Sequence, residues 1–119
     1  MDFDAAILAH SSWKMKLSGY LRKPDGSLNA GEVRADNRCA LGQWLHNDGR
    51  RHSSMPEYRC LVAEHARFHR CAAHIVECAN MGEQTQEATA LGSNSEYADA
   101  STKVVSAIMA MKRKIAAAA

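Results

Sequence analysis

Leu61, Phe68, Ala72 and Ile75 recur at helical spacing, and two histidines four residues apart, His65 and His69, interrupt that stripe at its middle. A helix that buries this face must bury both imidazoles as well, because residues four apart point the same way. Buried polar groups are costly unless something compensates them. A stretch written this way needs a partner for its imidazoles as well as a core for its apolar side chains.

The rest of the chain supports helices throughout. It has two prolines, seven glycines and no alternating β-branched run. A first helix is expected over Asp2 to Arg22, with Phe3, Ile7, His10, Lys14, Leu17 and Leu21 as its stripe, Trp13 and Tyr20 beside it, and aspartates at its start. The turn-rich run KPDGSLNAG then breaks the helix. A short helix from Asp36 to Gly49 follows, Asp36 as its cap and Gly49 as the left-handed residue that ends it. A third helix begins at SSMPEY, where Ser54 and Glu57 have capping-box spacing and Pro56 suits a first turn, and runs to about Asn80 before Gly82. A fourth is expected from about Glu83 to Lys114, burying Leu91, Ala98, Val105, Ile108 and Met109, with LGSNS as a break inside it. The fold expected is all-α, an antiparallel helical bundle of three long helices plus a short one. It forms a single domain over residues 1–115, leaving an alanine tail at 116–119.

Charge narrows the function classes. Fifteen basic and thirteen acidic residues are interleaved to a net +2, which speaks against a nucleic-acid binder with a concentrated basic face. No apolar run approaches the ~20 residues a membrane span requires, and the first residues lack the basic start of a secretory signal. A soluble, cytoplasmic protein without membrane or nucleic-acid partners is expected. In a reducing compartment the cysteines Cys39, Cys60, Cys71 and Cys78 serve as apolar residues, metal ligands or redox centres rather than disulfides.

His65 and His69 alone are most simply a hydrogen-bonded helical pair, and Ala66 stands where a zinc protease needs its glutamate. His10 changes the balance, because it lies in an apolar stripe and points into the same small core. Three inward histidines call for a shared cation. Cys39 is the natural fourth ligand. Counted from Asp36 it falls at the third helical position, where free amides and the helix dipole favour a thiolate. Three neutral nitrogens and one sulfur form a tetrahedral set suited to Zn²⁺, and four protein donors leave no open position for catalysis. Asp36 and Glu64 are candidates to orient the ligands, and Trp44 to pack over the Cys39 end. His46, His52 and His74 read as surface residues, and Cys60, Cys71 and Cys78 as buried apolar ones.

The ordered motifs HSSWKMKL, DNRCALGQWLHNDG and YRCLVAEHARFHR resemble those of the chemoreceptor zinc-binding domain family, and a weaker likeness continues through YADASTKVVSAIMAM. The resemblance implies a helical bundle that forms a homodimer with one zinc per protomer, bound by His10, Cys39, His65 and His69. It further implies a non-enzymatic sensory role in chemoreceptor or diguanylate cyclase signalling, with zinc availability or thiolate oxidation by hypochlorous acid as the signal. An output domain, if joined covalently, would follow Lys114. Two rivals are a purely structural zinc module and a di-iron bundle protein, the latter disfavoured by the lack of Glu-x-x-His pairs.

Overall fold

The structure, a computed structural model, describes residues 1–83 and 86–118. It is all-helical in the described residues: α1 (Phe3–Arg22), α2 (Ala30–Arg34), α3 (Ala40–His46), a 3₁₀ turn (Asp48–His52), α4 (Pro56–Asn80), α5 (Glu87–Leu91) and α6 (Glu96–Ala118). None of these helices is long and apolar enough to cross a membrane.

The helix ends follow local chemistry, with corrections to the expected boundaries. Asp2 caps α1 by accepting from the Ala5 amide at 2.9 Å. The expected loop hides α2, which starts where Asn29 accepts from the Glu32 amide at 3.0 Å. Asp36 does not cap the short helix. Residues before it form a turn, and Cys39 itself is the N-cap of α3, its sulfur accepting from the Gly42 amide at 3.3 Å. That helix stops at His46, and Gly49 is not left-handed but buried in the 3₁₀ turn. A Cβ there would lie 2.8 Å from Trp44, so glycine serves close packing rather than a φ angle.

The Ser54–Glu57 capping box does not form, because Pro56 occupies the first turn of α4 and leaves Met55 at the cap and Ser54 outside. At the other end Gly82 (φ +75°) closes α4. The Gly82 amide donates to the Ala79 carbonyl and the Glu83 amide to the Cys78 carbonyl, both at 3.1 Å, the crossed pair of a Schellman motif. The expected fourth helix is two helices. Ser95 starts the second by accepting from the Ala98 amide at 3.0 Å and donating to the Gly92 carbonyl at 2.7 Å. Residues 84–85 of that expected helix, and Ala119 of the expected tail, lie outside the described residues. The backbone stays helical through Ala118.

α6 packs antiparallel to α1 and α4. The start of α1 meets the end of α6 through Asp4 and Lys112 (2.7 Å), and Arg67 of α4 meets Asp99 early in α6 (2.8 Å). Tyr20 near the end of α1 bonds Asn80 at the end of α4, so these two helices point the same way, and the segment between them returns along the bundle. The core is one cluster that includes Leu17, Leu41, Leu45, Leu61, Phe68, Val76, Leu91, Val104, Ile108 and Met111. The α4 stripe is buried as expected, whereas α6 turns Tyr97, Ala100, Val104, Ala107, Ile108 and Met111 inward and leaves Met109 exposed.

Candidate metal centre

Among the described residues, one group of side chains could hold a metal ion: His10, Cys39, His65 and His69, with one ligand atom from each lying within 4.8 Å of all the others. Three elements deliver them. α1 brings His10 from its buried face, α4 brings His65 and His69 one turn apart, and the cap of α3 brings Cys39. The three histidines are the buried polar residues of the core, at 3%, 0% and 5% exposure for His10, His65 and His69. Cys39 is half-buried.

The Cys39 sulfur is 3.3 Å from His65 Nε2 and 3.8 Å from His69 Nε2, and the two Nε2 atoms are 3.1 Å apart. Tetrahedral zinc, with Zn–N of about 2.0–2.1 Å and Zn–S of about 2.3 Å, requires edges of ~3.3 Å between nitrogens and ~3.6 Å between nitrogen and sulfur. The Cys39, His65 and His69 donor atoms therefore already stand near ligand-to-ligand distances, with the His10 atom within 4.8 Å of each. The His10 ring lies 5.0 Å from His65 and 5.8 Å from His69, centroid to centroid, and closes the group from the α1 side.

The hydrogen bonds set the tautomers. His10 Nδ1 meets the Ala6 carbonyl and His69 Nδ1 the Val33 carbonyl, each at 2.8 Å. A carbonyl only accepts, so each Nδ1 carries the proton and each Nε2 keeps its lone pair. Metal-bound histidines usually have such an outer partner. Here two main-chain carbonyls supply it, one of them from α2. His65 Nδ1 is buried with no partner.

Burial dominates the electrostatics. It lowers the pKa of His65 to about 2, helped by His69, His10 and His46, and lowers that of His10, against the Ala6 hydrogen bond. These imidazoles are neutral, the form a cation needs. Cys39 departs from the thiolate expected of a helix start. Burial pushes its thiol up more strongly than the amides of Gly42, Leu41 and Cys39 draw it down, and the Asp36 charge adds to the rise. A coordinated cation reverses this order, since metal-bound thiols are deprotonated.

Gly42 fixes where the sulfur lies. A Cβ at this position would overlap the Asp36 carbonyl oxygen, so the turn before Cys39 is stacked directly on the α3 backbone. Asp36 contributes its main chain here, while its carboxylate lies 3.5 Å from His46 Nε2. Glu64 faces Arg67 at 3.8 Å and makes no hydrogen bond to a site histidine. Trp44 packs edge-on against Phe3 at 5.4 Å and over Gly49, bracing α3 from below.

The remaining candidates stay outside. His46 and His74 are exposed, and His52 lies 5.9 Å from Trp44. Cys60, Cys71 and Cys78 are not buried as expected. Cys60 is exposed, and the half-buried Cys71 and Cys78 line a cleft of about 440 Å³ between α4 and the α5–α6 region. A smaller groove of about 280 Å³, lined by Trp13, Leu28, Asn29, Val33 and Arg38, reaches Cys39 and His69 from solvent.

Sequence reasoning missed Ala6 and Val33, whose contribution is a carbonyl and leaves no mark in the side-chain pattern. The family model of the chemoreceptor zinc-binding domain matches residues 10–76, more than half of the chain and all four of these residues. No curated protein and no solved structure matches.

Proposed function

Because this chain belongs to the chemoreceptor zinc-binding domain family, we propose that His10, Cys39, His65 and His69 bind one zinc ion per chain and that Cys39 makes the site a sensor of zinc or of oxidants. The observation that carries this reading is the asymmetry of the four donors: three buried imidazoles and one half-buried sulfur at the foot of a groove. Four protein donors complete a tetrahedral set, which supports a sensory rather than an enzymatic role. When bound, zinc supplies positive charge that holds the sulfur deprotonated.

The residues account for the response. Thiolate and hypochlorous acid give sulfenic acid and chloride, and the sulfur loses two electrons to the oxidant. A sulfenic acid is a poorer donor than a thiolate. The oxidised sulfur is the one that caps α3 at the Gly42 amide and faces both Nε2 atoms, so weakening it as a donor loosens α3 from the histidines. α3 is seven residues long and separately capped, so it can shift while α1 and α4 stay packed. The expected output is chemotaxis or diguanylate cyclase signalling.

Metal analysis before and after hypochlorous acid tests this. Near one zinc per chain, released in step with Cys39 oxidation, is expected. Zinc retained while Cys39 oxidises would make the site a structural module, and iron in its place would make it a different protein.

A further inference from the structure

The cleft between α4 and the α5–α6 region takes no part in the metal centre. Arg67, Cys71, His74 and Cys78 line it and step along one face of α4, opposite to the face of His65 and His69 at 100° per residue. Its space of about 440 Å³ falls within the about 300–1,000 Å³ of small-molecule sites. Ile75 of α4 and Ala90 of α5 give it apolar walls, and Tyr97 of α6 adds a ring.

Tyr97 is 3% exposed, yet its hydroxyl oxygen has no hydrogen-bond partner among the described residues. A buried hydroxyl left unpaired is costly, and phenylalanine would fill the same space without that cost. Burial raises the Tyr97 pKa and the neighbouring Cys71 adds to the rise, so the hydroxyl lies on the Cys71 side. Cys71 lines the cleft, and the unpaired oxygen is therefore aimed into it.

The charges around this point are only partly used. Arg67 is held by Asp99 at 2.8 Å and faces Glu64 at 3.8 Å. Arg70 and Glu96 line the same cleft, and among the described residues neither forms an ion pair, with the other or elsewhere. Both reach the same place. Burial raises the Cys71 thiol, Glu96 adds to the rise, and Arg67 and Arg70 oppose it. The cleft thus offers a cation, an anion, an inward hydroxyl and apolar walls to one small molecule.

We propose that this cleft binds a free α-amino acid with a large apolar side chain. Its carboxylate pairs with Arg70 and accepts from the Tyr97 hydroxyl, its ammonium pairs with Glu96, and its side chain lies along Ile75 and Ala90. A carboxylic acid without the amine would leave Glu96 unanswered, and an amine without the acid would leave Arg70 and Tyr97 so. The zwitterion answers all three.

This site goes beyond the sensor reading and does not depend on the metal. Titration calorimetry of the full chain with L-phenylalanine is expected to show one site per chain. 3-Phenylpropanoate, which lacks the ammonium, and 2-phenylethylamine, which lacks the carboxylate, should each bind about tenfold or more weakly. Arg70→Gln should weaken phenylalanine about tenfold and leave 2-phenylethylamine unchanged, whereas Glu96→Gln should weaken phenylalanine and leave 3-phenylpropanoate unchanged. Tyr97→Phe should weaken phenylalanine yet raise the melting temperature of the ligand-free chain. A hydroxyl with only a structural role, satisfied by water, would give a lower melting temperature instead. No heat at millimolar phenylalanine, equal affinity for the three compounds, binding indifferent to these variants, or a lower melting temperature for Tyr97→Phe would overturn the proposal. Metal content measured in the same samples keeps its failure separate from failure of the zinc site.

Discussion

The centre joining α1, α3 and α4 and the seam joining α4 to α6 share one helix but cohere by opposite means. On the α6 side, Val104, Ile108 and Met111 are buried and apolar, and hold by exclusion of water. On the other side the same helix buries His65 and His69 against His10 and a sulfur, where the contact atoms are ring nitrogens and a thiol rather than carbon. The first needs nothing further to be stable. The second leaves His65 Nδ1 without a partner and offers its other donor atoms to a cation.

Exchanging a residue in each region sharpens this contrast. His65→Ala should abolish stoichiometric metal binding, read by metal content after gel filtration, while circular dichroism shows α4 and α6 still helical. Ile108→Ala should do the reverse, lowering stability by about 3 kcal/mol in urea unfolding while retaining one metal per chain. Gly42→Ala couples the two regions. The added carbon displaces the Asp36 turn, so a stability loss of about 2 kcal/mol should come with weaker metal binding in chelator competition.

Acid should affect the two regions unequally. His65 and His10 have folded pKa values below the usual 6.5, so the unfolded chain binds protons that the folded chain refuses. Stability of the metal-free protein is therefore full above about pH 7 and declines as pH falls below 6.5 toward the folded value, at about 1 kcal/mol per pH unit for His65. A His65→Leu variant should lose most of this slope in urea midpoints between pH 7 and 5. Glu64→Gln should have the smallest effect, with metal affinity unchanged within a factor of about two, because its carboxylate faces Arg67.

The α4 side of the site was legible in the sequence because helical spacing alone puts His65 and His69 on the stripe of Leu61 and Phe68. His10 followed from its own stripe in α1. The local structure around Cys39 was less legible. Asp36 has the chemistry of a cap, but its carbonyl is stacked against Gly42, a tertiary contact that propensity does not encode. α2 is five residues long, too short for periodicity to register, and its role is carried by the Val33 carbonyl. In α6 the stripe was misplaced because the helix restarts at Ser95, which resets the phase and turns Met109 out and Met111 in.

His65 and His69 lie one turn apart on a helix whose other face is held by α6. Their mutual spacing is therefore a property of α4 alone and does not wait for α1 or α3 to arrive. Half of the chelate is preassembled. An incoming cation would first be held by two nitrogens, and the entropy of bringing in His10 and Cys39 would be spent only after capture. The loading rate would then depend on α4, and the residence time on how firmly the α3 cap closes.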